Sequence, residues 1–288
     1  MISLNKSNSY SKPIESIDQL RELPGVRFAG KTIRLSETTG ELESVITAYS
    51  DIEYKNLPTQ IEGLPITFIL EKETNAEVSG NNHRYDTIQG GIQIGPVSWT
   101  NGTLGLVVKA AYGRLTFPCI LTATHVMKLD TGLFSQYCYQ PASDKTGDQV
   151  GIYFRDGGVD NDCCLYKVEE EYRLYSSGIL GICSTLKSPV TPKIGMKVQK
   201  MGQVTERTCG VITRIGNNQI IIEPDQDYYH PPYPPICKNG DSGALWVTNM
   251  GIGEFSPVAL LLRYNAEKNY SVGLSAEYIQ TLLDIRQW

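Results

Sequence analysis

Gly240-Asp241-Ser242-Gly243 stands between a proline-rich run, Pro231-Pro232-Tyr233-Pro234-Pro235, and an apolar one, Leu245 to Thr248. A serine hydroxyl is a poor nucleophile unless a base takes its proton and nearby amides stabilise the oxyanion that forms. Glycines on both sides suit a tight turn in which the backbone N–H groups of Gly240 and Ser242 point at one spot, an oxyanion hole. The same residue types also build ordinary surface turns. Its meaning therefore depends on what the rest of the chain places around Ser242.

The base for such a serine is histidine, whose pKa lies nearest neutrality, and the chain has three. His125 follows the apolar run Cys119 to Ala123 and so sits at a strand end above a core, a place where histidines are also found in purely structural roles. His83, in a polar segment, reads as solvated; His230, in Tyr228-Tyr229-His230-Pro231, reads as a loop residue near substrate. A carboxylate must then hold the imidazole in its working tautomer. Asp162 precedes the apolar run Cys163 to Val168, although an acid at a strand entry is also what a turn uses, as Asp160 does. His125, Asp162 and Ser242 each stand at the edge of an expected strand.

Working outward, the chain from residue 86 is a series of short strands with turn signals between them. The pattern predicts strands over Leu104 to Tyr112, Leu115 to Ala123, Val150 to Phe154, Cys163 to Val168, Lys197 to Met201 and Gly210 to Ile215. Gln219 to Glu223, Leu245 to Thr248, Val258 to Tyr264 and Tyr270 to Gly273 continue it. Gly216-Asn217-Asn218 is a strong hairpin turn, because Gly and Asn tolerate positive φ. Only Ser275 to Ile285 has helical spacing, with Tyr278, Ile279, Leu282 and Leu283 on one stripe. Short strands with one C-terminal helix make this region mainly β, a barrel or a sandwich. Residues 1–85 differ: a helix over Ile14 to Leu23 ending at Pro24-Gly25, a hairpin around Thr38-Thr39-Gly40, an apolar run Ile66 to Leu70, and a polar linker Asn75 to Tyr85. That is a small α+β N-terminal domain.

Three ordered segments resemble the chymotrypsin-like serine proteases. Thr122-Ala123-Thr124-His125 matches that family's T-A-x-H, Asn161-Asp162-Cys163-Cys164-Leu165 its D-x-A-L with Cys164 at the small position, and Gly240 to Gly243 its G-D-S-G. The resemblance implies a double β-barrel over residues 86–288, with barrels at 90–170 and 177–275 and a C-terminal helix at 275–285. It also implies Ser242 as nucleophile, His125 as base, Asp162 as its orienting acid, and the amides of Gly240 and Ser242 as oxyanion hole. More narrowly, the chain is similar to intracellular bacterial trypsin-like proteases related to the plant narrow-leaf type. The matching segments are Leu57-Pro58 to Ile66, Gly90-Gly91-Ile92-Gln93-Ile94-Gly95, Gly102-Thr103-Leu104-Gly105, and Lys200, Gly202, Thr205, Thr208 and Gly210. Departures are Glu206 where glycine is usual, Thr124 before the histidine, and Val126 where digestive relatives carry cysteine. Ile88-Gln89-Gly90-Gly91 faintly resembles the activated N-terminus of those relatives, but Thr87 before it offers no tryptic cleavage site. The position six before the serine, acidic where relatives cut after Lys or Arg, is Ile236. With Leu262, Arg263 and Tyr264 it is expected to line the substrate pocket and favour an apolar or small residue.

A net charge of −5 gives no electrostatic footprint for nucleic acid, and no apolar run approaches the roughly 18 residues of a membrane span. Met1 to Tyr10 is polar and lacks a signal-peptide pattern, and the seven cysteines are an odd number. Free thiols and a cytoplasmic protein are the expectation. No C-x-x-C pair occurs, so neither a metal site nor a cofactor is expected. The expected activity is a serine endopeptidase acting on one or a few protein or peptide substrates, with residues 1–85 as a docking site for a regulatory partner, an inhibitory segment or a brace. The alternatives are an inert binding scaffold on a protease fold and an esterase using the same triad.

Overall fold

The computed structural model describes residues 7–9, 15–21, 23, 26–35, 42–50, 53–55, 58–70, 81–96, 101–129, 133–142, 148–158, 160–169 and 173–288. The chain divides into two compact units, 1–77 and 78–288.

In the first unit, a short helix Ile17–Arg21 precedes a four-stranded mixed sheet. Ser16 and Gln19 start the helix reciprocally: the Ser16 hydroxyl accepts the Gln19 N–H at 3.3 Å, and the Gln19 side chain accepts the Ser16 N–H at 3.2 Å. Val26–Leu35 pairs antiparallel with Leu42–Ser50, which pairs parallel with Leu64–Leu70, which pairs antiparallel with Gln60–Ile61. Leu20, Leu23, Ile46 and Ile61 form its core. The expected turn at Thr38-Thr39-Gly40, the helix end at Pro24-Gly25 and the linker as far as residue 80 lie outside the described residues.

The second unit holds two six-stranded β structures and gives the mainly β, chymotrypsin-like double-barrel fold that the motifs imply. The first runs Tyr137–Tyr139, Gln149–Asp156, Cys164–Val168, Leu115–Thr122, Leu106–Tyr112, Ile285–Gln287. The second is a closed barrel of Lys197–Gly202, Glu206–Gly216, Gln219–Pro224, Tyr270–Ser275, Glu254–Asn265 and Leu245–Gly251. Its core clusters Ile212, Ile220, Ile222, Val258 and Leu261 with the fully buried Trp246. Gly216-Asn217-Asn218 is a hairpin turn with both asparagines at positive φ, 49° and 63°. Residues read as linker belong here: the Asn81 N–H donates to the Gln203 carbonyl, and the Tyr85 N–H to the Gln140 side chain.

Three segments differ from the pattern reading. Leu174–Ile179 pairs parallel with Thr87–Gly90 and lies outside the second barrel, whose strands begin at Lys197. The C-terminal helix covers only Ala276–Leu282. Asp284 takes a positive φ of 49°, which ends the helical path, and Ile285–Gln287 becomes an edge strand against Leu106–Tyr112. Tyr137–Tyr139 is a strand that no alternation announced. Among the described residues no helix is long and apolar enough to cross a membrane.

Candidate active site

His125 and Asp162 are brought together by one strand pairing. Leu115–Thr122 and Cys164–Val168 run antiparallel with Thr122 opposite Cys164, so the end of one strand meets the beginning of the other. A 3-10 turn, Thr124–Met127, then swings His125 over that junction. The Asp162 carboxylate takes two bonds from the same residue, the ring Nδ1 at 2.6 Å and the backbone N–H at 2.9 Å. Two anchors fix both position and ring orientation, and they make Nδ1 the protonated nitrogen, leaving Nε2 as the basic one. The two side chains are 34 % and 30 % exposed. Burial pushes against ionisation of Asp162, but the facing His125, its two hydrogen bonds and Lys128 outweigh it and hold the carboxyl below its usual value.

The Ser242 turn is locked by backbone bonds and shaped by two glycines. The Asp241 N–H donates to the Lys238 carbonyl, Gly243 N–H to Leu261, and Ala244 N–H to Asp241, all at 2.8–3.0 Å. Gly240 and Gly243 have φ of +97° and +90°, conformations that L side chains rarely adopt. A Cβ at Gly243 would lie 2.2 Å from the Thr122 hydroxyl, so this turn presses on the strand end that precedes His125. A Cβ at Gly102 would touch both Val126 at 2.4 Å and the Ser242 carbonyl at 2.8 Å, which places the histidine turn and the serine turn side by side. The Ser242 hydroxyl donates to the Leu262 carbonyl at 3.2 Å.

Asp241 points the opposite way, into the protein. It and Lys200 are both fully buried, with Lys200 Nζ 3.4 Å from its carboxylate. The carboxylate also accepts the Thr205 hydroxyl and the N–H groups of Val204, Thr205 and Lys238, at 2.5–3.1 Å. Lys200 Nζ donates to the Thr205 oxygen at 2.7 Å, closing the ring of bonds. The sequence pattern Lys200-x-Gly202-x-x-Thr205 contains this partnership without stating it. Gly202 is part of it, since a Cβ there would lie 2.2 Å from Asp241 Oδ1. Ile88, by contrast, is a buried residue within a paired strand, and its segment is already built into the fold.

Of the expected pocket residues, Ile236 and Tyr264 share the second-barrel core. Ile236 is 1 % exposed and packs in the second-barrel core beside Trp246 and Leu261. Leu262 stands at a register shift in the last barrel hairpin and presents its carbonyl to Ser242. Arg263 reaches Gln219, and Tyr264 packs on the core. Two residues that the reading passed over lie nearby: Cys237, whose thiol is pushed up to about 12 by burial, and Ser271, a buried hydroxyl facing that thiol. His83 stacks on Tyr85 and His230 is exposed in its loop. All seven cysteines are free, and among the described residues no cluster suited to a metal ion occurs.

No protein-family model matches the chain, and no curated protein matches it in sequence. Solved structures do match in fold. One is a glutamic-acid-specific serine protease described as using a histidine triad in substrate binding: 13% identity, 70% of this chain, all of that one, TM-score 0.51. Two others are the Nocardiopsis protease NAPase, at 15% identity and TM-score 0.48, and a Cellulomonas bogoriensis chymotrypsin, at 13% and 0.48. Each covers 70% of this chain and 98% of its own. At such identities the likeness is one of fold.

Proposed function

We propose that the chain is a serine endopeptidase in which Ser242 attacks a peptide carbonyl, His125 carries the proton and Asp162 orients His125. The observation that carries this reading is the double grip of Asp162 on His125, through Nδ1 and the backbone N–H, at a strand junction pressed against the Gly240–Gly243 turn. For the reaction the Ser242 hydroxyl turns from the Leu262 carbonyl toward His125 Nε2, which takes its proton as the Oγ–carbonyl bond forms. The oxyanion then lies against the N–H groups of Gly240 and Ser242. Collapse breaks the C–N bond, and His125 returns the proton to the leaving amine. Water repeats the sequence on the acyl-enzyme.

The buried Lys200–Asp241 pair supports activity without proteolytic maturation. A free N-terminus would otherwise have to supply a cation for Asp241, and here an internal ammonium does so. Free thiols throughout support a reducing, cytoplasmic setting. The net charge argues against nucleic acid as partner, and residues 1–85 are offered as the docking site for a regulatory protein. An esterase using the same triad, or an inert scaffold, separates from this reading by experiment. A fluorescent serine-reactive phosphonate should label the wild-type chain and not Ser242→Ala. A peptide library should be cut in preference to simple esters. Labelling that persists in Ser242→Ala would sink the assignment, and ester turnover without peptide cleavage would favour the esterase.

A further inference from the structure

Thr103 lies outside the three triad motifs, yet it touches both halves of the site. Its side chain is fully buried. The Gln203 N–H donates to its hydroxyl oxygen at 3.1 Å, and the hydroxyl donates in turn to the Gly240 carbonyl at 2.9 Å. The Thr103 N–H donates to the Ser242 carbonyl at 2.8 Å, and the Thr103 carbonyl accepts the Thr122 hydroxyl at 2.9 Å. Thr122 ends the strand that leads to His125. A bond path of two hydroxyls therefore runs from the histidine-bearing strand end to the serine-bearing turn.

The geometry points to Thr103 as a positioning residue for the oxyanion hole, an inference that rests on the protease reading above. The two donor amides, Gly240 N–H and Ser242 N–H, belong to the peptides on either side of the Gly240–Asp241 peptide. That middle peptide is held at both ends: its carbonyl by the Thr103 hydroxyl, its N–H by the Lys238 carbonyl. With the middle plane fixed, the outer amides have little freedom to turn away from a common point. Acceptance of the Gln203 N–H occupies one lone pair of the Thr103 oxygen and directs its single proton to Gly240. Threonine suits the task because branching at Cβ restricts χ1 and pre-sets the hydroxyl direction. Gln203 packs under the same turn, since a Cβ at Gly240 would lie 2.5 Å from its Nε2. Preorganised donors lose value quickly when misaimed, because the developing charge is stabilised only at hydrogen-bond distance.

The test compares wild type, Thr103→Val and Thr103→Ser, with Ser242→Ala as the blank. With p-nitrophenyl acetate as reporter, Thr103→Val should lower kcat on the order of 10- to 100-fold with KM nearly unchanged. Thr103→Ser should recover most of the loss. Hydrogen–deuterium exchange over residues 238–244, read in the same proteins, should rise in Thr103→Val and not in Thr103→Ser. The exchange readout does not depend on turnover, so it judges Thr103 even if wild type proves no more active on this ester than Ser242→Ala; the protease reading itself stands or falls on the phosphonate labelling. Unchanged exchange and unchanged kcat in a folded Thr103→Val overturn the role of Thr103. So does a Thr103→Ser protein as impaired as the valine one, since the hydroxyl would then be irrelevant. Should Thr103→Val not fold, Thr103→Ala set against Thr103→Ser asks the same question.

Discussion

Asp162 takes both of its short bonds from a single residue, and this sets what its replacement should do. Asp162→Asn keeps the shape but presents an amide to His125, which favours the wrong tautomer, and turnover should fall about 10⁴-fold. Phosphonate labelling rates measure that loss directly. The same carboxyl has a stability signature. Its folded-state pKa lies below the unfolded value, so the unfolded chain binds a proton first as pH falls. The stabilisation is complete above the ordinary carboxylate range and is lost as pH drops through the depressed value. Urea unfolding of wild type and Asp162→Asn should therefore differ most near neutrality and converge in acid; a gap independent of pH would contradict the assignment. That His125, Asp162 and Ser242 stand beside strand ends was legible because each motif sits next to an apolar run. The bonds of Thr103 were not, although it lies within Gly102-Thr103-Leu104-Gly105. A buried hydroxyl is held by partners 100 and 137 residues away, and no local pattern announces such partners. Ile236 is placed by the same long-range packing: it lies in the second-barrel core with Trp246 and Leu261, partners that its own segment does not name.

At the scale of elements, the turn around Ser242 is held from beneath by a buried ion pair. Removing one partner of such a pair leaves an uncompensated charge, at a cost of about 3–5 kcal/mol. Lys200→Met should therefore lower the unfolding free energy by about that much and disorder the Gly240–Gly243 turn. Adding Asp241→Asn should restore part of the stability; thermal and urea unfolding of the single and double variants measure both effects. The hairpins explain how much of the fold the sequence disclosed. Gly216-Asn217-Asn218 names its own turn, because positive φ at both asparagines is a local demand. The parallel pairing of Leu174–Ile179 with Thr87–Gly90 has no such marker, since its partners lie far apart with no turn between them. The last residues misled by sharing an apolar stripe with the helix: Leu283 and Ile285 are buried as a helical continuation would bury them, yet Asp284 turns the chain into a strand.

For the whole molecule, residues 78–288 hold both large cores and every residue of the candidate site. Trimming residues 1–77 is expected to leave a cooperatively folding chain that still reacts with the phosphonate probe, judged by its unfolding midpoint and labelling rate. Faster labelling than the full chain would mark the first unit as a restraint, whereas an insoluble product would make it a brace. The closing strand Ile285–Gln287 has a consequence in time. It covers the free edge of Leu106–Tyr112, a strand whose other side is paired with Leu115–Thr122. Some 170 residues separate the two strands along the chain, so that edge gains its partner only once the intervening sequence has been made. The first six-stranded structure is thus completed last, by a strand that enters from far along the chain and ties the two halves of residues 78–288 into one folding event.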